Sequence, residues 1–372
     1  MAILTGFVGP TNVLSSTNLD GEDLINWYVD PAAPGQGKGV VELSPTPGCR
    51  PWLGLSLTSG PCRALFQQDG RAWAVGGSYF SEIYPSQTST AIGSLGADGR
   101  PATIASNSSL AGHQLAISST NTIWIFDLIA NTLVDAMPGF VPGSVTFVDG
   151  YFVAPVAQTN KFRWSALEDG LTWPGLNIAQ LSQSSDNIVS LTAVHGQLWI
   201  LGSQTGVVWA DTGDSQTFSP IPGSLMQVGN RAPASAVSVD NSLIWVGGND
   251  QGDGIVFRGQ GVGAVPARIS TFAVEYWLGQ SKLLNRAIGY TYQQWGHTFY
   301  ELYVADLPWS FVFDASTNLW HKRALWNPAL LRYEPDRLLY HMFAFGVHLM
   351  GDRASQAIYE VSPSFPTMFL AS

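Results

Sequence analysis

Gly196-Gln197-Leu198-Trp199-Ile200-Leu201-Gly202-Ser203-Gln204-Thr205-Gly206-Val207-Val208-Trp209 decides the fold. A polar turn opens a run of aromatic and β-branched residues, a loop of small residues reverses it, and a second apolar run closes the unit. That is the signature of a tight antiparallel hairpin. The unit recurs at 241–248, turns through 249–254 and returns as Ile255-Val256-Phe257. Repetition of this kind specifies the architecture.

Five further copies follow the same order of turn, apolar strand, loop and strand ending in an aromatic residue. They begin at Asp69-Gly70, Gly112-His113, Asp149-Gly150, Gly296-His297 and Phe345-Gly346. The step between copies, roughly 40 to 55 residues, is that of four-stranded propeller blades. The sequence therefore predicts an all-β chain, a β-propeller of about seven blade-like units, with six also open. Residues 61–362 are assigned to the propeller, 1–60 to an extended N-terminal segment, and 363–372 to a C-terminal tail. Helix is expected to be scarce, since no stretch shows a long apolar period of 3.6 residues.

The N-terminal segment lacks the hairpin repeat. It holds two short strand-like runs, Trp27-Tyr28-Val29 and Val40-Val41-Glu42-Leu43, separated by a Gly/Pro loop. Propellers commonly close by pairing an N-terminal strand into the last blade, which removes an exposed edge. Either run is a candidate for that closure, and either is also a candidate docking arm. Residues 324–342, rich in Leu and poor in Gly, are the one place within the repeats where a short helix is expected, its length limited by Pro328 and Pro335.

Charged residues make up 12% of the 372 residues, against about a quarter in an ordinary globular chain. Fourteen tryptophans accompany a mean hydropathy of +0.10, yet no apolar run is long enough to span a bilayer, so no membrane insertion is expected. Burial against partner subunits explains such a composition; so does an all-β surface built from Thr, Ser and Gly. The net charge of −10 argues against gripping nucleic acid, which needs clustered Lys and Arg. A lumen through which DNA slides remains compatible with it. Cys49 and Cys62 are too few for a metal site or a disulfide framework, and reduced thiols are expected. Met1-Ala2-Ile3-Leu4-Thr5-Gly6-Phe7 shows no basic region followed by a long apolar core, so no secretion signal is expected.

Motifs for catalysis are absent: no H-E-x-x-H, no phosphate loop, no G-x-S-x-G elbow. Glycine-rich 35–39 and 259–263 do not lie between a strand and a helix and read as loops. Residues 249–254 carry Asp250 and Asp253 but lack the bidentate Glu of a calcium loop and read as a hairpin turn. Ala166-Leu167-Glu168-Asp169-Gly170-Leu171-Thr172-Trp173 is similar to the Asp-box of sialidase-like propellers, S-x-D-x-G-x-T-W, with Ala166 for Ser and Glu168 for Asp. That box is a structural turn, and a sialidase would also need clustered arginines and an activated Tyr. The six histidines fall at hairpin starts and strand ends, where hydrogen bonding in turns and core is the reading. No catalytic residue, cofactor or metal ligand is assigned.

Several phrases, in order, resemble one family. They are Phe162-Arg163-Trp164 running into the Asp-box-like turn, Ser185-Asp186-Asn187-Ile188-Val189, Arg268-Ile269-Ser270-Thr271-Phe272-Ala273-Val274-Glu275, Gly296-His297-Thr298-Phe299-Tyr300, and Phe313-Asp314-Ala315-Ser316-Thr317-Asn318-Leu319-Trp320-His321-Lys322-Arg323. With Asn26-Trp27-Tyr28 and Pro45-Thr46-Pro47-Gly48, they resemble the packaged-DNA stabilisation proteins, the tail hub or nozzle of short-tailed bacteriophages. The resemblance implies a non-enzymatic virion tail protein, assembled in the host cytoplasm as a hexameric ring below the portal and adaptor. Such a ring extends the DNA channel, helps retain packaged DNA, and docks a tail needle, fibres or spikes, while DNA passes without specific binding. Acidic loops at Asp211, Asp214, Asp250 and Asp253 are the expected channel-facing groups. The competing reading is a glycan-binding or sialidase-like propeller acting in receptor recognition.

Overall fold

In the computed structural model, seven of the eight sheets among the described residues have four or five strands and are blades of one propeller. The described residues are 24–31, 41–53, 60–96, 98–107, 113–137, 140, 143–182, 186–213, 217–249, 252–261, 263 and 265–365. Blade 1 comprises Cys62–Gln68, Arg71–Gly76, Tyr79–Tyr84 and Thr88–Ser94; blade 2, Thr103–Ser106, Gln114–Ser119, Thr122–Asp127 and Thr132–Asp135. Blade 3 comprises Thr146–Val148, Tyr151–Pro155, Lys161–Trp164 and Ile178–Gln180; blade 4, Ile188–Val194, Gln197–Gly202, Gly206–Asp211 and Phe218–Pro220. Blade 5 has Gly229–Asn230 and Val237–Val239 sharing the first-strand place, then Ser242–Asn249, Gly252–Gly259 and Ala267–Arg268. Blade 6 comprises Ile288–Gln294, His297–Tyr303, Ser310–Asp314, Leu319–Asn327 and an added fifth strand, Arg332–Pro335. Blade 7 takes Leu338–Ala344, Val347–Asp352 and Ile358–Ser362 from the end of the chain, and its outer strand from the beginning.

The first strands pack side by side in a closed circle around a central shaft, with blade 7 against blade 1. Threonine hydroxyls join neighbours inside it: Thr103 Oγ1 accepts from Val145 N–H, and Thr146 Oγ1 from Ala193 N–H. Six of the seven first turns are two-residue links with positive φ at both positions: Asp69-Gly70, Asp149-Gly150, His195-Gly196, Asp240-Asn241, Trp295-Gly296 and Phe345-Gly346. This is the type I′ geometry, whose twist matches that of the paired strands. It is why polar-Gly dipeptides mark the repeat in the sequence.

A hydrophobic cluster fills every gap between adjacent blades, from Trp73 and Phe126 between blades 1 and 2 to Met342 and Ile83 between blades 7 and 1. Each inner sheet therefore buries both faces, and strands such as Gln114–Ser119 are buried at every position. Such strands read as continuous apolar runs rather than alternating ones. Arg63, nearly inaccessible, is the polar tie between blades 1 and 2: its guanidinium reaches Gly77 O, Gly96 O, Arg100 O, Asp98 and Ser119 Oγ.

Closure differs from the expected strand choice. Neither Trp27–Val29 nor Val40–Leu43 completes blade 7; Gly48–Leu53 does, antiparallel to Ile358–Ser362. Arg50 adds a salt bridge to Glu360, and Trp52 stacks on Phe345 with ring centres 5.8 Å apart. The two expected runs instead pair with each other, Trp27–Pro31 against Val41–Pro45. Tyr28 of this hairpin enters the core between blades 6 and 7. Residues 324–342 form no helix, because their apolar residues belong to the hairpin Leu319–Asn327 with Arg332–Pro335 and to the first strand of blade 7. The single α-helix among the described residues is Phe272–Gln280, started by Thr271, whose hydroxyl accepts from Val274 N–H. Cys49 and Cys62 are buried and form no disulfide, and no described helix is long and apolar enough to cross a membrane.

Candidate functional site

The phrases that carry the family resemblance are turn-locking devices. Asp186 accepts from Ser203 Oγ at 2.5 Å and from the Gln204 and Thr205 N–H groups, closing the second turn of blade 4. Burial works to raise its carboxyl, and these three donors outweigh burial and hold it lowered. Asp314 ties its own turn through Ser316 N–H and Thr317 Oγ1 and also contacts His297 Nδ1 at 2.7 Å. Glu275 holds Arg268 and Ser270 across the start of the helix. In the Asp-box-like stretch, Asp169 accepts from Leu171 N–H and Trp173 Nε1–H donates to Gly170 O, so it is a turn here as well.

The acidic candidates are not brought together. Asp211 ends the third strand of blade 4, while Asp253 begins the third strand of blade 5. Strand direction therefore sets them at opposite faces of the propeller, and neither lies on a first strand, which is what lines the shaft. Asp253 is paired with Arg231 at 2.6 Å. Asp211 stands near Asp149 of blade 3, whose carboxyl is raised by burial and by that neighbour. Asp214 and Asp250 lie outside the described residues.

The most chemically distinctive feature is the shaft beside blades 5, 6 and 7. Its mouth holds a cavity of about 510 Å³, and a second of about 220 Å³ lies further along among first-strand residues, with Thr291 and His341 lining both. In blade 7, Phe343 pairs directly with His348 across the Phe345-Gly346 turn, and His341 pairs with Met350, one step further along. Direct and diagonal neighbours share a sheet face. His341, Phe343 and His348 therefore present together at the mouth, while Met342 and Ala344 face the core between blades 7 and 1.

His341 Nε2 and His348 Nδ1 are 2.9 Å apart. Burial lowers both imidazoles, and His341 is lowered further by its partner, while a hydrogen bond to the Thr291 backbone opposes this. One of the two facing nitrogens donates and the other accepts, so the two neutral rings hold each other in place. From blade 6 come Gln293 and Thr298, which face each other across the Trp295-Gly296 turn; from blade 5 comes Asp240. Sequence reading placed these histidines in turns and core. The signal that finds the pair is their spacing about the two-residue turn.

Behind the mouth, blade 6 buries a charged cluster. Arg323 lies 3.1 Å from Glu301 and 3.0 Å from Asp336, all three shielded from solvent. Two carboxylates share one guanidinium, and burial together with Asp336 pushes the Glu301 carboxyl up to about 7 although Arg323 pulls the other way. Among the described residues, no lysine or arginine lines either cavity, and no group of three or more metal-ligating side chains occurs.

Three solved structures share the overall shape at low identity. The extracellular domain of a two-component system from B. thetaiotaomicron aligns with a TM-score of 0.55 and 7% identity over 85% of this chain, which spans only 40% of that one. Virginiamycin B lyase from Staphylococcus aureus gives a TM-score of 0.55 and 14% identity, covering 83% of this chain and 97% of the lyase. The N-terminal domain of Nup159 gives 0.51 and 10% identity, covering 85% and 95%. Likeness at such identity speaks for the propeller fold alone. No curated protein matches the chain at a significant level. The sequence model of one phage family, described as bacteriophage P22 Gp10, beta-propeller, matches residues 26–365. That span takes in the N-terminal hairpin, the closing strand and all seven blades, so the chain belongs to the bacteriophage P22 Gp10 β-propeller family of phage stabilisation proteins.

Proposed function

We propose that this phage structural protein is a tail hub or nozzle: a hexameric ring of propellers that extends the portal and adaptor channel and helps retain packaged DNA. The family match over residues 26–365 carries the reading. Two properties of the chain support it. A net charge of −10 suits a wall along which DNA moves without being held. Propeller blades with short turns give a rigid frame whose loops and added hairpins are available for contacts.

In this assignment the fifth-strand hairpin of blade 6, with Trp326, Leu330, Leu331 and Tyr333 exposed at its end, is a contact element for neighbouring copies or for needle, fibre or spike proteins. One of the two acidic turns, that at Asp211 and Asp214 or that at Asp250 and Asp253, is proposed to face the lumen of the assembled ring, DNA passing it without specific binding. The protein works in the virion tail after assembly in the host cytoplasm, with no enzymatic step.

The test has two readouts. Native mass spectrometry of the purified chain, with or without portal and adaptor, is expected to give a closed hexamer. Particles made without the protein are expected to package DNA and then lose it. A chain that stays monomeric with those partners, together with particles that keep their DNA without it, would overturn the reading.

A further inference from the structure

We propose that the mouth of the shaft between blades 5, 6 and 7 binds an uncharged, hydroxyl-rich ring: one hexopyranose unit of a glycan. The site is distinct from the assembly surfaces discussed above and stands whether or not those are correct. Its cavity, about 510 Å³, falls in the size range of small-molecule sites.

Three features define the ligand. The first is an aromatic platform: Phe343, on a first strand beside His341 and His348, is 55% exposed, giving an apolar surface for the C–H face of a sugar ring. Next is a set of polar groups. His341 and His348 are in hydrogen-bond contact with each other, and each neutral imidazole carries one donor and one acceptor. Asp240 accepts, and Gln293 and Thr298 can both accept and donate, so the lining suits hydroxyl groups, which do both.

The third is the charge. Among the described residues lining the cavity there is no cation, and its one formal charge is the Asp240 carboxylate. Arg258 pairs with Asp240 at 4.0 Å and donates to Ser242 Oγ without lining the cavity. An anionic ligand, whether a phosphate or a sialic acid, would meet Asp240 with no cation on the cavity lining to bind it, Arg258 being paired with Asp240 itself. A neutral sugar matches the platform and the polar groups without that penalty.

The experiment is titration of the full-length chain with neutral sugars (glucose, galactose, mannose, N-acetylglucosamine) and anionic ones (glucuronic and N-acetylneuraminic acid), read by saturation-transfer NMR and calorimetry. Saturable binding of at least one neutral sugar is expected, with anionic sugars weaker by about tenfold or more. Phe343→Ala and Gln293→Ala replace exposed side chains; each is expected to weaken binding several-fold with the unfolding temperature unchanged. Absence of saturable binding by every neutral sugar, a preference for the anionic ones, or affinity unaltered in both variants would each overturn the proposal.

Discussion

Asn26 and Ala324 grip each other through a single amide: Asn26 Nδ2–H donates to Ala324 O and Ala324 N–H donates to Asn26 Oδ1, both at 2.9 Å, across 298 residues of chain. Asn26 also has φ of 63°, the left-handed region that Asn tolerates better than most residues. The reversal there turns the chain from the edge of blade 6 into the hairpin that carries Tyr28. Asn26→Ala removes both bonds and adds backbone strain, for a loss of about 2 kcal/mol. Asn26→Asp keeps the acceptor and is expected to lose about half as much. Urea denaturation of the two variants measures the difference.

Arg63 offers a sharper test of geometry against charge. Its fork spans three carbonyls, a carboxylate and a hydroxyl, which no ammonium group can do from one position. Arg63→Lys preserves the charge and is nonetheless expected to destabilise by about 2 to 3 kcal/mol, since buried acceptors are left unmatched. A loss below about 0.5 kcal/mol in chemical denaturation would refute the role of the fork.

Stability is expected to peak near pH 6.5. Glu301, raised from 4.5 to about 7 mainly by burial, keeps a proton in the folded state that the unfolded chain releases, so stability falls as pH rises from about 4.5 to about 7. His321, lowered from 6.5 to about 3 by burial and then by Arg323 and His297, refuses a proton that the unfolded chain accepts, so stability falls as pH drops below 6.5. His341 and His348 are lowered too and act with His321. On the acid side three imidazoles outweigh one carboxyl. Glu301 and His321 each contribute roughly 1 kcal/mol per pH unit inside their windows. Urea midpoints between pH 4.5 and 8.5 should trace this peak, with Glu301→Gln flattening its alkaline side and His321→Phe easing its acid side.

The thiols are expected to be silent in the native protein. Burial pushes the Cys62 thiol up to about 12, and Cys49 is fully inaccessible. A thiol reagent at pH 8 should label neither until denaturant is added, and then both. Rapid labelling of folded protein would show that the edge between blades 7 and 1 opens readily.

The blades were legible because their turns are chemically distinctive. Pairs such as Asp69-Gly70 and His195-Gly196 mark a backbone conformation that few sequences adopt, and apolar runs on either side mark strands buried on both faces. That two-sided burial also accounts, within one chain, for much of the apolar composition that the sequence reading set against partner contacts. The closing strand was not legible: Gly48-Cys49-Arg50-Pro51-Trp52-Leu53 carries a Gly and a Pro and becomes a strand because the edge of Ile358–Ser362 awaits it. The helix Phe272–Gln280 was hidden for a related reason, since apolar residues lie all round it and blur the period. The histidine pair at the shaft could have been found by pairing residues outward from Phe345-Gly346.

Because blade 7 joins Gly48–Leu53 to Ile358–Ser362, with Arg50 meeting Glu360 310 positions later, the ring cannot shut until residues 358–362 have left the ribosome. Six blades must wait with one raw edge at each end until translation delivers the last strands. During synthesis the half-finished wheel therefore exposes two unpaired strand margins, the kind of surface on which incomplete chains aggregate.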